Sequence, residues 1–318
     1  MRILVAFLLL LPGPFMALAA QQASVDSPKG GDSSRAHRTG LTTDGLSCSA
    51  FEWGSTTTSD KAVMLVPISL NRKQFWYQLD TGADVLIPYG SILEQGWTAR
   101  GDAVRIPNVR FAGISFSSVL GYQNKETKAM PVSPNLKDPH GTVGLEILLG
   151  KTFVMDFPKQ RVCLLERGDL PGSLEHAADW SSAEVRHGKL YVDIELNGKK
   201  LDGILYDTGS SPNTLIVDFD LWKEATGKSG TKDATTHFSG CCNWGHEFEI
   251  IGAPASGDLK IGSHVYPKPM MITEPAHPDN FRAEYSGQGL LGNVPFTGSI
   301  VILDLGAHPR FGIIDGSR

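Results

Sequence analysis

Apolar and polar residues alternate with period two over residues 66–70 (V-P-I-S-L) and again over 192–196 (V-D-I-E-L). That period puts one face of a strand against a core and the other toward water, so each stretch predicts a half-buried β-strand. Each strand runs into an Asn-led turn, Asn71-Arg72 and Asn197-Gly198, the second a good hairpin signal. Each returns through a second strand into the tripeptide Asp-Thr-Gly, within "YQLDTGADVLIP" over 77–88 and "LYDTGSSPNTLI" over 205–216. Trp97 and Trp222 follow at similar distances.

The parallel resumes late in each half. Leu148-Leu149-Gly150 answers Leu290-Leu291-Gly292; an apolar strand then ends in Asp156 or Asp304, a turn follows, and the next strand opens with Arg161 or Arg310. The repeat predicts one β-rich lobe used twice, over 60–168 and 186–316, with a connection over 169–185 and a longer middle in the second copy.

Composition changes this picture little. The chain has 318 residues, enough for two domains, and 41% hydrophobic with 20% charged residues suits a soluble globular protein. A net charge of −5 and the lack of a Lys/Arg-rich run give no reason to expect a nucleic-acid partner. The amino terminus adds more. Arg2 precedes an apolar run over 3–11 that is too short to span a bilayer and is closed by Pro12-Gly13-Pro14, and Ala17-Leu18-Ala19 offers a small-x-small cleavage site. Residues 1–20 therefore read as a secretory signal peptide. Residues 21–59, rich in Ser, Thr, Gly and Asp, read as a disordered linker or short pro-segment. Export makes disulfides possible, and Cys48, Cys163, Cys241 and Cys242 allow three pairings, the adjacent pair being strained. Neither CxxC nor HExxH occurs, so no metal site is expected; "TGKSG" at Thr226 lacks the first glycine of a phosphate loop, and no GxSxG elbow is present.

The doubled tripeptide carries the chemistry. A single Asp-Thr-Gly after a strand is ordinarily a tight turn, with glycine supplying the conformation and aspartate the cap. Two copies in matching surroundings point instead to Asp80 and Asp207 as paired carboxyls. Held close, two carboxyls cannot both ionise, so one serves as base toward a water and the other as acid toward a leaving amine. Gly82 and Gly209 let the backbone turn its N–H groups to the carboxylates, and Thr81 and Thr208 are placed to hydrogen-bond across a two-fold axis.

On these residues the chain resembles the two-lobed, pepsin-like aspartic peptidases, with lobes similar to retropepsins. "LDTGADVL" over 79–86 is similar to the retropepsin loop, "DTGSS" from Asp207 to the pepsin-like form, and the two Leu-Leu-Gly runs to the family's paired apolar-apolar-Gly signature. The resemblance covers about residues 60–316. It implies a mostly β, two-lobed pepsin-like aspartic protease fold with internally duplicated β-barrel-like lobes, and Asp80 and Asp207 as the catalytic dyad supported by Thr81, Gly82, Thr208, Gly209 and Ser210. The protein it implies is a monomer without cofactor that binds a polypeptide as an extended strand. After removal of the signal it is not held to a membrane, and it is secreted or periplasmic. Asp84 and Tyr122 are candidate substrate-binding residues, Tyr122 as a flap tyrosine; residues 99–111 or 237–250 are alternative covers for the cleft. Retropepsins pair the aspartate at the Asp84 position with a base just after the signature, which predicts an Asp84–Lys151 ion pair. Ser210 against Ala83 predicts a hydroxyl donating to Asp207 alone, so that Asp80 more often holds the proton. The competing function is a catalytically silent peptide-binding protein on the same fold.

Overall fold

The computed structural model describes residues 43–55, 59–89, 97–122, 139–243, 246–279, 281–282 and 287–316. The expected signal peptide and the first part of the expected linker lie outside them. The described chain is mostly β and forms two sheets, one curled into a half-barrel.

The first sheet has eight strands, all from the first half. Its path runs Ile87–Pro88, Gly141–Val143, Lys73–Leu79, Val63–Leu70, Ala103–Phe111, Thr98–Arg100, with Glu52–Gly54 on Val63–Leu70 and Ile114–Tyr122 on Ala103–Phe111. The alternating residues 66–70 lie in the strand Val63–Leu70, where Val66, Ile68 and Leu70 are fully buried. Asn71 and Arg72 turn the chain with φ of 49° and 67°, and Asn197 and Gly198 do so with 53° and 79°. Positive φ at both central residues defines the turn whose twist matches a two-residue hairpin.

The second sheet has fifteen strands and draws on both halves. Toward one end of it, Lys151–Asp156 from the first half pairs antiparallel with Ser299–Asp304 from the second, Val154 facing Ile302. Each of these strands folds back in a hairpin, onto Arg161–Glu166 and Arg310–Asp315. The repeated Asp-turn-Arg spacing closes both hairpins, with Arg161 Nε 3.4 Å from Asp156 Oδ2 and Arg310 Nη2 2.7 Å from Asp304 Oδ2. The sheet continues through Asp179–Arg186 into Lys189–Leu196, Lys199–Tyr206, Gly289–Leu291 and Leu215–Val217. One apolar core, including Leu79, Phe153, Tyr206, Phe296 and Phe311, lies under both halves.

Two segments are more ordered than their composition suggests. Residues 43–55, expected within the disordered linker, hold strands Cys48–Ala50 and Glu52–Gly54. Polar residues dominate there, but Phe51 is buried and stacks edge-on with Trp53 and Phe157, and Cys48 is disulfide-bonded to Cys163 across the paired strands. A few apolar anchors and a covalent tie outweigh a polar average. The connection over 169–185 carries a short helix, Gly172–Ala177, and most of the strand Asp179–Arg186. Cys241 and Cys242 sit on the described strand Thr236–Asn243, but their side chains lie outside the described residues.

Candidate active site

Asp80 and Asp207 each stand one residue past the end of a hairpin's second strand, Lys73–Leu79 and Lys199–Tyr206. In both places a third strand runs parallel behind the end of that strand: Gly141–Val143 beside Lys73–Leu79, and Gly289–Leu291 beside Lys199–Tyr206. The backbone contacts match, with Asp80 N–H donating to Val143 O at 3.0 Å and Asp207 N–H to Leu291 O at 2.9 Å. The segment equivalent to Leu290-Leu291-Gly292 is therefore Thr142-Val143-Gly144, which corrects the expected match at Leu148-Leu149-Gly150. The selection is steric. A Cβ on Gly144 would sit 2.3 Å from Val85 O, and one on Gly292 2.3 Å from Ser210 O. Gly150, by contrast, has open space around it.

The threonines after each aspartate lock the loops together reciprocally. Thr81 Oγ1 donates to Tyr206 O at 2.8 Å and accepts Thr208 N–H at 3.0 Å; Thr208 Oγ1 donates to Leu79 O at 3.0 Å and accepts Thr81 N–H at 3.0 Å. All four bonds cross from one half to the other and are buried, where each is costly to break. They bring the two carboxyls side by side. A Cβ on Gly82 would lie 2.6 Å from Asp207 Cγ, and one on Gly209 2.5 Å from Asp80 Cγ, so glycine is required on both loops by the opposing carboxyl.

Asp80 and Asp207 are 1% and 2% exposed, and they are close enough to hydrogen-bond to each other. Two carboxylate oxygens bond only if one carries a proton. Burial pushes Asp80 well above the usual carboxylate range, and the neighbouring Asp207 charge adds to this. Burial raises Asp207 as well, but the hydrogen bond from Asp80 and the N–H groups of Gly209 (2.7 Å) and Gly82 oppose it. Asp80 accepts Ala83 N–H at 3.0 Å, and burial is the largest cause that raises each member of the pair. The hydroxyl expected to donate to Asp207 is engaged elsewhere. Ser210 Oγ accepts from Asn213 Nδ2 at 2.9 Å, and the methyl of Ala83 packs with Val85, Ile87 and Tyr89. Backbone N–H groups are the donors that reach both carboxyls.

The remaining expectations divide. Asp84 does not pair with Lys151. Lys151 binds Glu166 at 2.9 Å on its own sheet, while Asp84 Oδ1 binds Lys189 Nζ, from the second half, at 2.5 Å. The Lys151 expectation rested on the Leu148-Leu149-Gly150 match, so both move together; the residues after Gly144 are Leu145 and Glu146, whose N–H groups donate to Ala83 O and Asp84 O. Tyr122 is half-buried at the end of its strand, its N–H on Leu86 O at 2.9 Å. The tyrosine whose phenol is coupled to Asp80 is Tyr89, which is half-buried and 2.5 Å from Thr142 Oγ1. Burial is the main cause that pushes this phenol above its ordinary range. Tyr89 follows Asp80 by only nine residues, but no motif in the sequence marks it. Residues 99–111 form part of two hairpins, and residues 237–250 belong to the hairpin Thr236–Asn243 with His246–Pro254.

Behind the second loop, Asn293 organises the backbone. Its Nδ2 donates to Ser211 Oγ at 2.9 Å and Thr208 O at 3.3 Å, and its Oδ1 accepts the Tyr206 hydroxyl at 2.9 Å. Among the described residues no cluster of His, Cys, Asp and Glu suits a metal ion. Nor is any helix among them long and apolar enough to cross a membrane. The chain matches no protein-family model and no curated protein.

Proposed function

We propose that the protein is an aspartic endopeptidase of the pepsin-like kind, with retropepsin-like lobes, exported to an oxidising compartment. One observation carries the reading: two buried carboxyls, one from each half of the chain, meet across a reciprocal threonine lock. Asp207, the more readily ionised, takes a proton from the attacking water; Asp80 gives its proton to the substrate carbonyl as the tetrahedral centre forms. On collapse of that centre the nitrogen is protonated and the pair returns to its starting state. The Cys48–Cys163 bridge supports an oxidising setting, secreted or periplasmic. The substrate is a polypeptide laid as an extended strand between the two halves.

The test is cleavage of a denatured protein mixture between about pH 3 and 7, using the mature chain, Asp80→Asn and Asp207→Asn, with and without a statine-type transition-state mimic. Cleavage by the wild type that is abolished by either substitution and by the mimic supports the reading. A folded wild type that cleaves nothing across this range points to the silent peptide-binding alternative.

A further inference from the structure

Lys189 opens the strand Lys189–Leu196 of the second half, yet its side chain is only 9% exposed. A lysine is rarely buried without a partner, and this one has two on the opposite half. Its ammonium donates to Gly82 O and pairs with Asp84 Oδ1 at 2.5 Å. Gly82 is the residue whose Cα faces the Asp207 carboxyl, so the charge is anchored one peptide away from the pair. The hairpin turn before Lys189 fits the same spot, since a Cβ on Gly188 would lie 3.1 Å from Asp84 Cγ.

The arrangement is one-sided. Strand registers place Leu65 opposite Gln78 and Tyr191 opposite Leu205, two residues before each aspartate, so Val63 is the two-fold counterpart of Lys189. Ser211 is the counterpart of Asp84, four residues after its aspartate. Val63 is buried and apolar, and Ser211 is held by Thr208 O and Asn293. The cation therefore stands on one side of an otherwise repeated frame.

We propose that Lys189 is a positioning residue of the carboxyl pair: its ammonium, fixed on Gly82 O and Asp84, sets the pH window in which the pair holds a single proton. The inference deepens the peptidase reading and rests on it for its kinetic consequence. A nearby positive charge favours both ionised states, so it moves the window toward acid. The attraction reaches both aspartates. The titratable and charged groups around it are Asp84 and Glu146 from the first half, Asp80 and Asp207 in the pair, and Arg186 and the neutral phenol of Tyr191 on its own hairpin. Asp84 offsets part of the lysine charge, which makes the two residues opposing levers.

The test is titration of the aspartate side-chain carbons by NMR in the folded chain, together with the pH profile of kcat/KM. Lys189→Met is expected to move both macroscopic values of the pair up by roughly half to one unit. Asp84→Asn is expected to move them down by a similar amount, and Lys189→Arg to leave them within ~0.3 unit of wild type. Opposite signs cannot come from a purely structural role, which loosens the site the same way in both variants. An unshifted Lys189→Met, or shifts of the same sign in Lys189→Met and Asp84→Asn, overturns the proposal. Should Lys189→Met not fold, Asp84→Asn decides alone: a downward shift supports, and no shift or an upward one refutes. The NMR titration needs no turnover, so a wild type without peptidase activity would sink the proposed function while leaving this inference separately decided.

Discussion

Gly82→Ala adds one methyl group at the centre of the site, and its effect can be worked from the geometry. The new Cβ falls 2.6 Å from Asp207 Cγ and 2.7 and 2.8 Å from its two oxygens, where ordinary contact begins at 3.4 Å. Something must yield by 3.4 − 2.6, or 0.8 Å. The carboxyl is poorly placed to yield, because Gly209 N–H holds it at 2.7 Å and Asp80 holds it on the other side. The loop is no freer, since Thr81 next to it takes part in three of the four cross-half bonds. Overpacking of this kind costs about 1–3 kcal/mol of stability. A displacement near 1 Å of a catalytic group costs on the order of 100-fold in rate. Gly209→Ala makes the reciprocal clash with Asp80 at 2.5 Å and should behave alike. Gly298→Ala is the control, for its Cβ meets nothing within 4 Å. The assay is kcat/KM on a peptide substrate beside thermal unfolding of all three. Activity of Gly82→Ala within about threefold of wild type, with the fold intact, would refute the argument that the two loops are built around facing carboxyls.

Three further outcomes are expected. Thr81→Val leaves a buried Thr208 N–H and a buried Tyr206 C=O without partners and should cost about 2–4 kcal/mol in denaturant titration, while Thr81→Ser keeps most of the stability. Asp80 is raised in the folded state, so the stability it contributes is full below its unfolded value and is lost as pH rises through the folded one. Asp80→Asn should flatten that decline and leave the variant more stable than wild type at pH 7, as read by urea unfolding at pH 4 and 7. Replacing Cys48 and Cys163 with serine opens a closure of 115 residues and should destabilise by about 4–5 kcal/mol in non-reducing denaturation, with no effect on wild type by reductant counting against it.

Much of the frame was legible because it is local. Alternating residues, the turns at Asn71 and Asn197, and the Asp156/Arg161 and Asp304/Arg310 closures are all short-range patterns, and each recurs at matching places in the two halves. The meeting of Thr81 with Thr208 was legible for a different reason: two copies of one motif imply an axis between them. What misled was similarity of letters. Leu148-Leu149-Gly150 resembles its counterpart more closely than Thr142-Val143-Gly144 does, but the fold selects a glycine backed against Val85 O, and a polar Thr142 serves as well in the strand. Lys189 was illegible because a lysine at the start of an alternating strand reads as a solvated end. Its partner Asp84 lies over a hundred positions away, and only the assembled pair of loops reveals it.

The strand pairing of Val154 with Ile302 and the four threonine bonds mean that neither half owns a site. A half-chain carries one aspartate with no second carboxyl beside it. The paired-carboxyl site thus forms as an all-or-none event, when the last strands join the shared sheet. On the proposed peptidase reading, the chain is in this way kept from attacking its own unfolded copies until the fold that would resist attack is complete.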